Sequence, residues 1–314
     1  MLSLIATLTL NPALDVSYKI QRIVNDEKVH SFETRFDAGG NGINVARALK
    51  KLGFRASACC VLAGEIGKLI SNTLTGELDD PHFIWGEGET RINCVIHQID
   101  PVTQYQIDGI GPDIDSSVID RLEKDLYENS KDGFAVITGS CPLNISPNIY
   151  YILAARLQKS GVKCLIDADG DLLKNAVKAK PYIIKPNIHE LKRLMNRNIS
   201  SVIEAAYAAQ ELQKYGIEYV FVSLGHEGAI LASSEGVFHA ESPEVPVISS
   251  VGAGDSMVAG LLSVISSEDG NAVKALKLGI ACGSATVQKP GTELFTMDLV
   301  DKLVDKIQIE QLKL

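Results

Sequence analysis

The chain has no run of apolar residues long enough to span a bilayer, and no block of lysine and arginine dense enough to read a nucleic acid. A net charge of −9 over 314 residues reinforces the second exclusion, so any phosphate the protein handles must be met locally. The six cysteines (59, 60, 94, 141, 164 and 282) lack CxxC and Cys/His ligand spacing. They read as reduced thiols in apolar surroundings, which argues against a disulfide scaffold or structural zinc and points to a cytoplasmic protein. No pair among the six histidines stands at HxxxH or HExxH spacing, so none is assigned to metal or nucleophilic chemistry. Gly64-Glu65-Ile66-Gly67-Lys68-Leu69 looks like a phosphate loop, but it is too short and Leu69 replaces the hydroxyl residue that would hold magnesium. Gly40-Asn41-Gly42 lacks the third glycine of a dinucleotide fingerprint, because Val45 stands there. Repeats, low-complexity tracts and linkers are also missing. The opening Met1-Leu2-Ser3-Leu4-Ile5-Ala6 has no positive charge and reads as the start of a strand rather than a signal peptide.

A hydrophobic fraction of 46% is ample for a core. Strand-like runs at Leu4–Leu10, Ala56–Leu62, Phe134–Thr138, Lys163–Ile166, Tyr182–Ile184 and Tyr219–Val222 alternate with helical patterns such as Ile149–Lys159 and Ser201–Tyr215. Such alternation predicts an α/β fold, a doubly wound, mainly parallel sheet flanked by helices, within one domain over 1–314. Ligand-facing positions then lie where strands end, at Asp167-Ala168-Asp169, Lys185-Pro186-Asn187 and Ser223-Leu224-Gly225. Two stretches, 16–36 and 92–107, alternate like strands without intervening helices, and are predicted to form a small β-sheet lid that excludes water from the site.

Two glycine clusters each lead into a helical pattern. Val251-Gly252-Ala253-Gly254-Asp255-Ser256 precedes Met257, Val258, Leu261, Leu262 and Ile265, and Ala38-Gly39-Gly40-Asn41-Gly42-Ile43-Asn44 precedes Val45, Ala46, Leu49 and Leu52. Glycines allow close approach of the main chain to a ligand, and a helix N-terminus offers unpaired N–H donors to an anion. A carboxylate at that place, Asp255, can deprotonate a hydroxyl, so the combination suggests phosphoryl transfer. The plainer alternative for the segment alone is a glycine loop with an Asp cap.

The pair of clusters resembles the two signatures of the ribokinase-like (PfkB) carbohydrate kinases. In family order, Asn11-Pro12-Ala13-Leu14-Asp15, Thr90-Arg91-Ile92-Asn93, Thr138-Gly139-Ser140-Cys141-Pro142, Lys185-Pro186-Asn187-Ile188-His189-Glu190 and Val222-Ser223-Leu224-Gly225 also match, spanning residues 5 to 292. The likeness is greatest to the branches that phosphorylate sugar phosphates, above all the type 2 6-phosphofructokinases. It implies that Asp255 is the catalytic base, following Gly252, Ala253 and Gly254, with the N–H groups of Ala253, Gly254 and Asp255 stabilising the migrating phosphoryl group. At a helix N-terminus Asp255 is expected to stay ionised and to be a weak base. Asp15, Gly39, Gly40 and Asn44 match sugar-binding positions, and Arg91 and Ser140 match contacts to the sugar's phosphate, which suits the guanidinium fork. For ATP the resemblance implies Lys185, Asn187, Ser223, Leu224, Gly225, Gly228 and, flanking the adenine, Ser284. Asn187 and Glu190 would hold Mg2+ through water, and carbonyls near Ser249, Val251 and Gly291 a K+ ion. A homodimer through the lid is also implied.

Lys28 and Asn41 bear on the substrate. The 6-phosphofructokinase branch carries Lys at the first position, whereas the 1-phosphofructokinases and tagatose-6-phosphate kinases tend to carry Asn there and a Lys where Asn41 stands. Both residues favour fructose 6-phosphate, phosphorylated at the 1-hydroxyl, although His30 replaces an Arg of that branch. Transfer to fructose 1-phosphate or tagatose 6-phosphate is the alternative, and a non-catalytic sugar-phosphate sensor is the alternative of another class.

Overall fold

The computed structural model describes residues 4–267 and 270–314. Of the opening hexapeptide, 1–3 lie outside the described residues, and Ile5 and Ala6 begin the first strand. β1 (Ile5–Thr9), β2 (Ala13–Ile20) and β3 (Ser31–Gly39) precede α1 (Asn41–Lys51), β4 (Ser57–Ala63), α2 (Gly64–Leu74), β5 (Asp80–Gly86), β6 (Arg91–Gln98) and β7 (Thr103–Ile107). Next come α3 (Ser116–Ser130), β8 (Phe134–Thr138), α4 (Ile149–Lys159), β9 (Lys163–Asp167), α5 (Gly170–Ala176), β10 (Ile183–Ile184), α6 (Ile188–Met195), α7 (Val202–Lys214) and β11 (Tyr219–Ser223). β12 (Ala229–Ser233), β13 (Gly236–Ala240), α8 (Ala253–Ile265), α9 (Ala272–Thr286), α10 (Met297–Val304) and β14 (Ile309–Leu312) complete the order.

Among the described residues, ten strands form one sheet in the order β14-β13-β12-β11-β10-β9-β8-β1-β4-β5. From β5 to β11 every neighbouring pair is parallel, as the alternating pattern predicts. β12, β13 and β14 extend the sheet antiparallel, because the two residues between β12 and β13 leave room for a hairpin and not for a crossover helix. Successive strand residues point to opposite faces, so Cys60 and Leu62 of β4 join one core while Cys59 and Val61 join the other. The first core receives Ile43, Val45 and Leu49 of α1 with Val258, Leu261 and Leu262 of α8, and the second Leu122, Leu153, Leu191 and Leu212 from α3, α4, α6 and α7. Helices on both faces are what a doubly wound sheet requires.

α1 lies unusually close to the sheet. A Cβ on Gly42 would come within 2.3 Å of the Leu8 carbonyl oxygen, and the Ile43 N–H donates to Thr9 Oγ1 at 3.1 Å. The end of β1 is thereby joined to the start of α1. α7 is framed as its pattern suggests, with the Ser201 hydroxyl accepting from the Glu204 N–H.

The two non-helical stretches form a second, four-stranded sheet, β3-β2-β6-β7, in which β2 and β6 run parallel and the outer pairs antiparallel. Its strands reach beyond the expected limits, from Ala13 to Gly39 and from Arg91 to Ile107, while 21–30 is an exposed connection without strand. Asp15, Ser17, Asn93, Val95, His97 and Gln106 face a cavity against the main sheet. On the other face Phe36, Val16, Cys94 and Ile107 stand in one register row, and Phe36 and Ile107 are each 60% exposed.

All six cysteines are free; Cys59, Cys60, Cys164 and Cys282 are buried, Cys94 and Cys141 half-buried. The false phosphate loop is the N-terminus of α2, where the Glu89 carboxylate accepts from the N–H groups of Glu65 and Ile66. No described helix is long and apolar enough to cross a membrane.

Candidate active site

α8 starts at Gly252, which takes φ +76 as N-cap, a conformation that costs glycine little, and supplies no side chain to the helix end. Asp255 sits in the first turn and turns its carboxylate away from its own helix, toward α1. Asn41 Nδ2 donates to Asp255 Oδ1 and Asn44 Nδ2 to Oδ2, each at 2.9 Å. The two asparagines are three residues apart on α1 and therefore share a face. Docking of α1 on β1 thus fixes the group opposite α8.

Asp255 is only 4% exposed. Burial lifts its carboxyl to about 6, with Asp167 pushing the same way, against the hydrogen bonds of Asn44 and Asn41 and the charge of Lys185. The ordinary weak base expected from a helix N-terminus is corrected here, since loss of hydration outweighs the groups that favour the charged form and makes the carboxylate a better proton acceptor. Lys185 is also buried, with Nζ 3.0 Å from Asp167 Oδ1. Burial alone would lower its ammonium, but Asp167, Glu190 and Asp255 around it raise it on balance. The space above Gly254 opens toward Lys185 Nζ, which lies 3.6 Å from where a Cβ would be.

Asp255 opens into a cavity of about 650 Å³ between the two sheets. Asp15, Gly40, Asn44, Arg91, Ser140, Glu190, Ser249, Val251, Gly252, Asp255 and Gly291, all expected from the sequence, line it. Gly39 packs on the Asp15 carboxylate, where a Cβ would overlap Oδ2. Asn93 donates to Asp15 Oδ1 at 2.8 Å and accepts from the Gly109 N–H at 3.0 Å. Burial lifts Asp15 too to about 6, partly offset by Asn93 and Arg91. The Arg91 guanidinium donates to the Asn11 carbonyl at 3.2 Å and to Ser140 Oγ at 3.4 Å, which joins the two expected phosphate contacts.

The other expected residues take different places. Lys28 lies in the exposed connection between β2 and β3 and is not part of the cavity wall. Asn187 caps α6, accepting from the N–H groups of His189 and Glu190, while the Glu190 carboxylate accepts from the Asn187 N–H at 2.7 Å. This reciprocal capping box occupies one oxygen of each side chain. Burial raises the Glu190 carboxyl. Ser223 ends β11 beside Asn187, and Leu224 to Gly228 form a tight turn closed by the Leu224 N–H to Gly228 O bond of 2.8 Å. Ser284 is buried on α9. The Ser249 hydroxyl donates to the Gly291 carbonyl at 3.0 Å and accepts from the Val251 N–H. Next to it, the Thr292 hydroxyl is buried without a partner among the described residues.

Sequence reasoning named Asp167 as a strand-end residue without giving it a role, and did not assign Asn93. Both line the cavity. Their signals were present, at the end of β9 and in the Thr90–Asn93 motif. No cluster of three or more His, Cys, Asp or Glu able to cage a metal occurs among the described residues. Asp167 and Glu190, hard oxygen donors on one wall, suit a magnesium ion that keeps most of its waters.

A pair of carboxylates, each held by amides, faces a cationic contact across one cavity, and the chain's likeness to known proteins agrees with that chemistry. The model of the pfkB family carbohydrate kinases matches residues 8–298. The chain belongs to the pfkB family of carbohydrate kinases. The 1-phosphofructokinase of Bacillus subtilis (strain 168) is 32% identical over 310 residues, covering 98% of this chain and 100% of that protein. The ATP-dependent 6-phosphofructokinase isozyme 2 of Escherichia coli (strain K12) is 32% identical over 301 residues, covering 95% and 97%. The crystal structure of phosphofructokinase-2 from Escherichia coli in complex with potassium superposes with a TM-score of 0.91 at 30% identity, over 98% of this chain and 99% of that one. This pfkB member is therefore a sugar kinase, a phosphotransferase with an alcohol acceptor.

Proposed function

We propose that the protein, working as one kinase domain over 1–314, transfers the γ-phosphoryl group of ATP to fructose 6-phosphate at its 1-hydroxyl. The observation that carries this reading is Asp255, buried and held at both oxygens, in one cavity with Asp15 and the Arg91–Ser140 pair. Asp15 and Asn44 orient the sugar hydroxyls, and Arg91 and Ser140 take the phosphate already on the sugar. Asp255 accepts the proton of the attacking hydroxyl. The N–H groups of Gly254 and Asp255, joined by that of Ala253 on leaving its long 3.4 Å bond to the Ser250 carbonyl, stabilise the group in flight, and Lys185 adds positive charge near them. The lid sheet over the cavity keeps water from competing as acceptor. The turn at Ser223, Leu224, Gly225 and Gly228, with Ser284, receives the nucleotide. Asp167 and Glu190, with Asn187 beside them, would hold magnesium, which would supply neutralisation of phosphate charge. The carbonyls of Ser249, Val251 and Gly291 would hold K+, near the Thr292 hydroxyl, which is buried without a partner among the described residues.

Asn41 in place of a lysine supports fructose 6-phosphate as acceptor. A second reading, fructose 1-phosphate, is favoured by the full-length likeness to the Bacillus subtilis enzyme; tagatose 6-phosphate would use the same residues. The test is ADP release with each of the three sugar phosphates, compared as kcat/KM. Preference for fructose 6-phosphate is expected; preference for another would keep the mechanism and change the acceptor.

Phe36 and Ile107, exposed at the two ends of a row whose middle is the buried Val16 and half-buried Cys94, support a homodimer through the lids. Light scattering during size-exclusion chromatography should report twice the chain mass, and a monomer for Phe36→Asp; a monomeric wild type would remove the proposal.

A further inference from the structure

We propose that Asn41 is a positioning residue of the phosphoryl transfer: its side-chain amide fixes Oδ1 of Asp255 and sets how readily that carboxylate takes the acceptor's proton. The inference rests on the reading of Asp255 as the base. Asn44 and Asn41 grip the two carboxylate oxygens at equal distances of 2.9 Å, but their settings differ. Both line the cavity, but Asn44 is 4% exposed on the buried side of α1, whereas Asn41 is exposed. Across from Asn41 stands Gly139 at the end of β8, where a Cβ would approach Asn41 Oδ1 to 2.9 Å. The amide is thus seated with its oxygen toward Gly139 and its NH2 toward Asp255. A longer side chain at 41 or any side chain at 139 would turn it out of this seat.

The consequence is chemical as well as geometric. With Asn44 on Oδ2, Asn41 on Oδ1 limits the rotation of the carboxylate, so its loss frees one of the two oxygens. Its N–H stabilises the charged form, and so opposes the burial that raises Asp255. The charged groups that also act on Asp255 are Asp167 from the end of β9 and Lys185 beyond β10, of opposite sign. The direct partners from α1 are the two neutral amides; both line the cavity, and Asn41 is the more exposed of the two.

The experiment measures kcat against pH with saturating Mg-ATP and sugar phosphate for the wild type, Asn41→Ala and Asn41→Asp, with Asp255→Asn as control and circular dichroism to establish folding. Loss of one hydrogen bond to a carboxylate, partly replaced by water, is expected to move the acidic limb of Asn41→Ala up by about half to one pH unit and to lower the plateau. Asn41→Asp adds a like charge and should move the limb further up. A limb for folded Asn41→Ala that superposes on the wild type overturns the proposal, as does an Asn41→Asp limb displaced downward. Near-normal turnover by Asp255→Asn would instead overturn the base assignment beneath it, so the two failures are distinct.

Discussion

Lowering the pH should switch this kinase off more steeply than one ionisation allows. Asp255 and Asp15 are both lifted to about 6 by burial, and in the proposed mechanism both must be ionised, one to take a proton and the other to orient sugar hydroxyls. A carboxylate of that pKa is about one-tenth ionised at pH 5, so two acting together leave about one molecule in a hundred competent. kcat/KM should therefore fall roughly hundredfold from its plateau by pH 5, with a limiting slope near two. A sugar phosphate titrates near pH 6 itself, so the decisive readout is a difference between enzymes on the same substrate. Asp15→Asn should lower the plateau and lose one unit of slope, because one titrating group is gone and the substrate is unchanged. The assay is coupled ADP release between pH 5 and 8.5 at constant ionic strength. Equal slopes for wild type and Asp15→Asn, or a wild-type profile flat to pH 5, would refute the reasoning.

Other expectations follow from the same geometry. Arg91→Lys removes the fork that reaches Ser140 and should raise KM for the sugar phosphate about ten- to hundredfold while leaving KM for ATP within twofold, as initial rates would show. Gly42→Ala puts a Cβ within 2.3 Å of the Leu8 carbonyl, so it should cost about 1–3 kcal/mol in urea unfolding and lower kcat by displacing Asn41 and Asn44. Between pH 3.8 and about 6 the folded chain holds the Asp255 proton more tightly than the unfolded chain, so folded stability falls as pH rises through that window. Asp255→Asn should accordingly be more stable than the wild type at pH 8, by up to about 3 kcal/mol, and lose the advantage by pH 4. Thermal unfolding at both pH values checks this, and a less stable variant at pH 8 would count against the burial argument.

Local patterns were legible in the sequence wherever one physical rule dominated. β8 and α4 begin and end where the apolar patterns place them, because each is bounded by turn residues, β8 as a short apolar run buried on both faces and α4 as a helix that buries one. The antiparallel β12–β14 edge was not read, since β12 and β13 are joined by two residues without the intervening helix that marked the other strands, and β14 has only four residues. Both glycine clusters indicated a site, yet the sequence could not say that they meet. Asn41 and Asp255 are 214 positions apart, and only the docking of α1 against α8 joins them. The raised acidity of Asp255 and Asp15 was hidden for the same reason, as burial belongs to the assembled fold. Lys28 shows the converse case, a residue singled out by resemblance that stands away from the cavity wall within one chain.

The most direct test of the central claim is the turnover of Asp255→Asn with Mg-ATP and the preferred sugar phosphate, with binding of that sugar phosphate followed by calorimetry. A loss of about 10²–10⁴-fold in kcat with sugar binding retained is expected for removal of a general base. A folded variant that binds the sugar and turns over at near the wild-type rate would contradict the account.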